Sequence, residues 1–206
     1  MLVIGLAGGS GSGKGSVCAI FREFGFEFID TDALYGKLTA PGGKCIGPLV
    51  SEFGKVILNE DGSLNKTTLA KIVFMSENAE EKRKKLDGIT HKIILGETRK
   101  LLTDYSSKNT FAVLVDAPLL FESGFDRECD IIISVIAEEN IRIKRIIQRD
   151  KITEEMARNR IASQLSNEFL RENSDYIIVN NGSMEELRGN ISSIAEKILK
   201  RGIKSE

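Results

Sequence analysis

The sequence predicts an α/β protein built on a parallel sheet of five strands flanked by helices, with a helical insertion. Three observations carry this. Five short apolar runs, rich in β-branched residues, are spread along 206 residues. Helical patterns separate them, which is the arrangement of βαβ units. A glycine-rich turn directly follows the first run and opens a helical segment, a junction suited to binding phosphate.

The runs are taken in order. Leu2–Ala7 is nearly continuous in its hydrophobicity, as a strand covered on both faces must be. Phe26–Asp30 alternates. Phe111–Asp116, Ile131–Ile136 and Tyr176–Val179 complete the five. A helix is expected from Val17 to Phe24 after the glycine-rich turn. The last helix has the clearest signal. Ser183 and Glu186 form the S-x-x-E cap, and Leu187, Ile191, Ile194 and Ile198 make one apolar stripe behind it. Thr153 is a second expected cap, with Glu154 and Glu155 in the turn where the helix dipole favours acids.

The segment between the second and third strands is too long for a simple crossover. It contains the breaker Pro41-Gly42-Gly43 and the turn Glu60-Asp61-Gly62, and is otherwise mostly helical. The expected organisation is a core of residues 1–34 and 110–206 with an inserted helical lobe at 35–109. The charged run Glu80–Lys85 reads as a solvated helix face. His91 lies in a helical pattern among apolar neighbours and reads as structural.

Composition narrows the function. The formal net charge of −1 lacks the basic excess of a nucleic-acid binder. No run of 18 apolar residues is present, so no membrane span is expected. Cys18, Cys45 and Cys129 have no metal-ligand spacing and read as free thiols of a cytoplasmic protein.

The strongest motif is Gly8-Gly9-Ser10-Gly11-Ser12-Gly13-Lys14-Gly15-Ser16, which fits G-x-x-x-x-G-K. Glycines let backbone N–H groups curl around phosphate oxygens with no Cβ in the way. The next helix turns its positive end to the anion, and Lys14 reaches the β- and γ-phosphates. The motif points to a nucleoside triphosphate. It does not name the acceptor, so a nucleoside monophosphate kinase and a nucleotide sensor without transfer both stay open. No N-K-x-D guanine motif is present, which disfavours a GTPase. The usual hydroxyl residue after the lysine is Gly15 here, which puts direct Mg2+ ligation by the loop in question; Ser16 follows one position later.

Acids close two strands. Asp30 and Asp32 end the second run, and Asp116 ends the third at the position where an acid orients Mg2+ or its waters. Asp30 is equally suited to cap a helix. Asp32 can accept a hydroxyl proton or help hold hydrated Mg2+. Candidate metal-binding residues are therefore Ser16, Asp32 and Asp116. Arg142, Arg145 and Arg149 share one helix side, with Ile143, Ile146 and Ile147 beside them, and Arg158 and Arg160 follow. As a cluster they suit phosphate binding and the exclusion of water.

With these residues in place, the chain resembles the dephospho-CoA kinase family over nearly its whole length. The phosphate loop matches. So do Ile29-Asp-Thr-Asp32, Ala40-Pro-Gly42, Phe53-Gly54, Asp61-Gly62-x-Leu64 and Val73-Phe74. Asp116-x-Pro-Leu-Leu-Phe-Glu-Ser-Gly124 is the most specific segment. Arg149-Asp150, Arg160-Ile-Ala-x-Gln164 and Asp175-Tyr-Ile-x-x-Asn180-x-Gly182 extend the match.

The resemblance implies a P-loop kinase fold, an acceptor-binding helical lobe and a lid within about 139–168. It implies phosphorylation of the ribose 3′-hydroxyl of dephospho-CoA by ATP with Mg2+, in a cytoplasmic monomer or weak homo-oligomer. Lys14, Asp32, Arg145 and Arg149 are then the expected catalytic residues, with Asp32 as base. Gly9, Ser10, Gly11, Ser12, Gly13, Lys14, Gly15, Ser16 and Asn180 are expected at the nucleotide. Asp32, Leu119, Leu120 and Phe121 are expected at the acceptor. The chain departs from the family pattern at Gly15, at Gly36 where arginine is usual, at Lys66, and at Lys92 where proline is usual.

Overall fold

The computed structural model describes residues 1–203, with side chains described to residue 200. All five apolar runs form strands of one sheet: β1 (Leu2–Ala7), β2 (Glu27–Asp30), β3 (Ala112–Asp116), β4 (Ile131–Ile136) and β5 (Tyr176–Val179). Their order is β2-β3-β1-β4-β5. β1 lies centrally and pairs in parallel with β3, setting Leu6 opposite Asp116, and with β4, setting Ala7 opposite Ser134. β4 pairs in parallel with β5. The carboxyl ends of β1 and β3 therefore lie side by side, which brings the glycine-rich turn beside Asp116.

The chain forms two compact units, residues 1–29 with 105–206, and residues 30–104. In the first, Ile4, Leu6, Leu114, Ile133, Val135 and Ile178 from the sheet pack with Val17 and Phe21 of α1 (Lys14–Glu23). The stripe of Leu187, Ile191, Ile194 and Ile198 joins the same core, so the last helix is held by its apolar face. Full burial is worth about 1.5–3 kcal/mol for each such side chain. The reciprocal cap contributes about 1 kcal/mol, so it sets where that helix begins more than how firmly it is held. In that cap Ser183 N–H donates to Glu186 Oε2 (3.1 Å) and Glu186 N–H donates to Ser183 Oγ (3.2 Å).

Two boundaries differ from the sequence expectation. α1 begins at Lys14 and not Val17, because Gly13 serves as its N-cap and the Gly-Ser steps that lower helix propensity lie inside its first turn. β2 ends at Asp30, and Asp32 is not a strand residue. Asp30 Oδ1 accepts from Ala33 N–H (2.8 Å) and starts α2 (Thr31–Leu38) at once. Asp32 is exposed in the first turn of α2, where the helix dipole favours a carboxylate.

The second unit has its own core. Leu38, Cys45, Leu49, Ile57, Leu64, Leu69 and Val73 are buried together. They come from α2, the segment leading into α3 (Ile46–Phe53), a short turn and α4 (Lys66–Phe74). Leu86, Ile89, Ile93 and Ile94 of α5 (Ala79–Ser107) pack against them, and His91 is half-buried on that helix. The charged run lies in the first turns of α5, where Lys84–Glu80 and Lys85–Glu81 pair at one-turn spacing on the surface. Such exposed pairs add little stability.

After β4 come α6 (Glu139–Asp150), α7 (Glu154–Ala162) and α8 (Asn167–Glu172), and after β5 comes α9 (Met184–Ile203). Ile143 and Ile146 of α6 pack on Ala157 of α7, with Ile147 beside them. Lys151 closes α6 in the left-handed conformation (φ 55°). Thr153 Oγ1 then accepts from Met156 N–H (3.2 Å), so the expected cap of α7 is present.

Candidate active site

The turn from Gly8 to Gly13 connects β1 to α1. Gly11 and Gly13 have φ of +77° and +98°, values that side-chain-bearing residues rarely adopt. Space imposes a second requirement. A Cβ on Gly11 would meet the Arg142 carbonyl at 2.6 Å, and one on Gly13 would strike Asn180 Nδ2. As N-cap of α1, Gly13 has no side chain to serve the first helical N–H groups. Such groups at a helix start form an anion site together with the dipole.

Lys14 is oriented from two sides. Its Nζ donates to Gly8 O (2.8 Å) and lies 3.7 Å from Asp116 Oδ1. Both side chains are largely screened from solvent, at 16% and 22% exposure. The lysine thus arches back over the loop it belongs to, which puts its charge at the concave face of the turn. Ser16 lies in the first turn of α1, half-buried. Gly15 is exposed, with nothing within 4 Å of where a Cβ would stand.

The arginines of α6 differ in burial and in partners. Arg142 is buried (5% exposed) and donates to Ser10 O (2.9 Å) and Gln164 Oε1 (2.8 Å). Arg145 is half-buried and donates to Gly11 O (3.2 Å) and Ser12 O (3.4 Å). Arg149 is exposed and forks onto Asp150, at 2.7 and 2.9 Å. Arg160 donates to the same carboxylate. Arg158 pairs with Glu139 and Glu154. The sequence could place three arginines on one side; it could not show that burial falls so steeply from the first to the third.

Asn180 is buried, and its amide donates to Ser12 O (2.7 Å). Ser10 N–H donates to Gln164 Oε1 (3.0 Å). Gln164 was visible in the sequence only as part of a family motif. Its partner lies 154 residues away, a distance that no local pattern reports.

The three expected acceptor-side apolar residues separate. Leu119 is 46% exposed and Phe121 is half-buried in edge-to-face contact with Phe169 (5.2 Å). Leu120 is only 1% exposed, and its methyl groups occupy the space that a Cβ on Gly5 would need. Its side chain is therefore a core contact. A cleft beside the β5–α9 turn is lined by Val179, Asn180, Asn181, Gly182, Ser183 and Glu186.

Cys18, Cys45 and Cys129 form no disulfide. Cys129 is held neutral, its thiol pushed up to about 12 by burial and by the nearby acids Asp126, Asp130 and Glu128. Among the described residues no three His, Cys, Asp or Glu side chains gather as a metal centre, and no helix is long and apolar enough to cross a membrane.

A glycine loop, a lysine folded back over it and an acid on the neighbouring strand define a P-loop kinase of the α/β class. The comparisons make this specific. The dephospho-CoA kinase family profile matches residues 2–186. Dephospho-CoA kinase of Corynebacterium efficiens is 38% identical over 201 residues, covering 98% of this chain and 99% of that protein. The solved dephospho-CoA kinase from Campylobacter jejuni aligns with TM-score 0.70 and 26% identity, over 96% of this chain and 97% of that one. The chain belongs to the dephospho-CoA kinase family. A shikimate kinase from Acinetobacter baumannii, 18% identical over 98% of this chain and 94% of that one, shares the fold with TM-score 0.56.

One pH dependence follows from the arginine pair. Hydrogen bonds from Arg149 and then Arg160 hold the Asp150 carboxyl down to about 2. An unfolded chain returns it to about 4. A depressed carboxylate stabilises the fold above the unfolded value, and that stability is lost as pH falls through the folded value. Melting temperatures of the protein and of Asp150→Asn should differ by a constant amount above pH 5. The gap should shrink between about pH 4 and about pH 2. A gap that stays unchanged down to pH 2 would show that the pairing contributes nothing.

Proposed function

We propose that this chain transfers the γ-phosphoryl group of ATP to the ribose 3′-hydroxyl of dephospho-CoA, giving CoA and ADP in the last step of CoA synthesis. The observation that carries the reading is Lys14, held between Gly8 O and Asp116 at the head of α1 in a chain of this family.

The residue roles belong to the proposal. The 3′-oxygen attacks the γ-phosphorus and the bond to the β-phosphate oxygen breaks. Charge shifts onto the leaving ADP and the phosphoryl oxygens during the transfer. Lys14 and the amides of Gly11, Gly13, Lys14 and Gly15 offset that charge in this reading, since Ser12 N–H and Ser16 N–H already donate to Gly9 O and Gly13 O. Arg145, already at the loop carbonyls, reaches the same side. Arg149 must exchange Asp150 for phosphate before it can contribute. Asp32 supplies the carboxylate that accepts the hydroxyl proton; its exposure in α2 leaves it accessible for that role. Leu119 and Phe121 are the proposed apolar contacts of the acceptor. Asn180, with Asn181 and Gly182 beside it, is the proposed neighbour of the adenine, within the cleft beside α9.

Mg2+ accompanies ATP in this proposal. The donors present suit it, because Asp116 and Ser16 offer hard oxygens near Lys14, and Mg2+ commonly keeps several waters with only one or two protein ligands. When bound, it neutralises charge on the β- and γ-phosphates. A reducing cytoplasmic setting is part of the same reading, in keeping with three cysteines that form no disulfide.

Two substitutions test the roles with dephospho-CoA as acceptor. Lys14→Ala should lower kcat on the order of 10²–10³-fold, the range for loss of one preorganised charge-stabilising donor, with melting temperature little changed. Near-normal turnover would refute the phosphate-loop mechanism. Asp32→Asn should abolish most transfer while ATP still binds, as followed by ADP release and by calorimetry. Full activity in that variant would remove Asp32 as the base.

A further inference from the structure

Arg142 and Gln164 have no role in the transfer just described, yet they make some of the longest-range polar contacts in the first unit. Gln164 follows two residues after the end of α7. Its Oε1 accepts from Ser10 N–H (3.0 Å) and from Arg142 Nη2 (2.8 Å), and its Nε2 reaches Ser10 Oγ (3.2 Å). Two donors converge on one atom, which fixes the amide orientation. Arg142 Nε donates to Ser10 O (2.9 Å). One residue of the loop is therefore gripped at its N–H, its carbonyl and its hydroxyl.

Gly9 shows that the loop is shaped around this grip. A Cβ there would collide with Arg142 Nη2 and lie 2.7 Å from Gln164 Oε1. The φ of Gly9 lies outside the left-handed range, so what favours glycine there is the space taken by the ends of the Arg142 and Gln164 side chains. Arg142 is a charged group with 5% exposure, and burial pulls its pKa down, opposed by Glu139. Such a cation is costly unless hydrogen-bonded. Here a carbonyl and an amide oxygen accept from it at Nε and Nη2.

We propose that Gln164 and Arg142 are positioning residues for ATP, clamping Ser10 so that the anion-binding amides begin at Gly11 and the loop stays tied to α6 and α7. This rests on the function proposed above and adds residues to it. Removing the clamp loosens the curve that Gly11 to Lys14 must follow, and the penalty falls on the triphosphate alone.

The test measures ATP binding by calorimetry with Mg2+ and no acceptor, and steady-state KM for both substrates, in the full chain. Gln164→Leu removes both the acceptor and the donor at similar bulk. It should raise the ATP dissociation constant and KM about tenfold or more, with KM for dephospho-CoA within about twofold. Gln164→Glu keeps an oxygen for Ser10 N–H and Arg142, and the Ser10 hydroxyl can turn to donate to it. It should restore ATP binding to within about threefold of the parent, a recovery based on that retained acceptor. Equal loss for both substrates, or no recovery with Glu, would reduce the pair to a folding role and overturn the proposal. So would ATP binding by Gln164→Leu equal to the parent's. Failure of the parent itself to bind ATP would instead overturn the proposed function, and this inference with it.

Discussion

A backbone that wraps a polyanion cannot carry side chains on its inner face, and the rest of the first unit depends on that constraint. Gly11 and Gly13 sit in the left-handed region with neighbours closing the space where a Cβ would go. Within the loop itself Ser12 N–H donates to Gly9 O (3.1 Å). Its shape is imposed from outside by Arg142, Arg145, Gln164 and Asn180, each bonded to loop backbone. One helix, the turn beyond a second and one strand end thereby hold the six residues from Gly8 to Gly13. Lys14 completes the arrangement by bonding to the first glycine of its own loop.

The same polar contacts divide the arginines of α6 by depth. The first is buried at the loop, the second is half-buried over it, and the third waits at the surface on Asp150. Asp150 closes α6, where a helix dipole disfavours an acid. Two guanidinium groups offset that cost, one from each side of the turn into α7. The carboxylate thus keeps Arg149 ordered near the end of the helix, in a pairing exposed enough to exchange for phosphate.

Much of this was legible because it is local. Strand runs such as Ile131–Ile136 and the Ser183–Glu186 cap depend on neighbours within a few residues, and both formed as expected. The phosphate loop was legible because its chemistry demands glycines and a lysine at fixed spacing. Asp32 was misplaced into a strand because Asp30 can either end a strand or cap a helix, and only the Ala33 contact decides. Leu120 reads like Leu119 in sequence, yet Gly5 on a neighbouring strand opens a core space that only one of them fills. Gln164 depends on a partner near the other end of the chain, and its polarity alone suggests a solvated loop.

The most direct measurement is the product of the purified protein with ATP, Mg2+ and dephospho-CoA, followed by mass and by phosphorus NMR. One added phosphate on the ribose 3′-oxygen, with one ADP released per acceptor, is the expected result. ATP binding with no phosphorylated acceptor, or phosphate at another position, would contradict the assignment of the acceptor while leaving the phosphate loop intact.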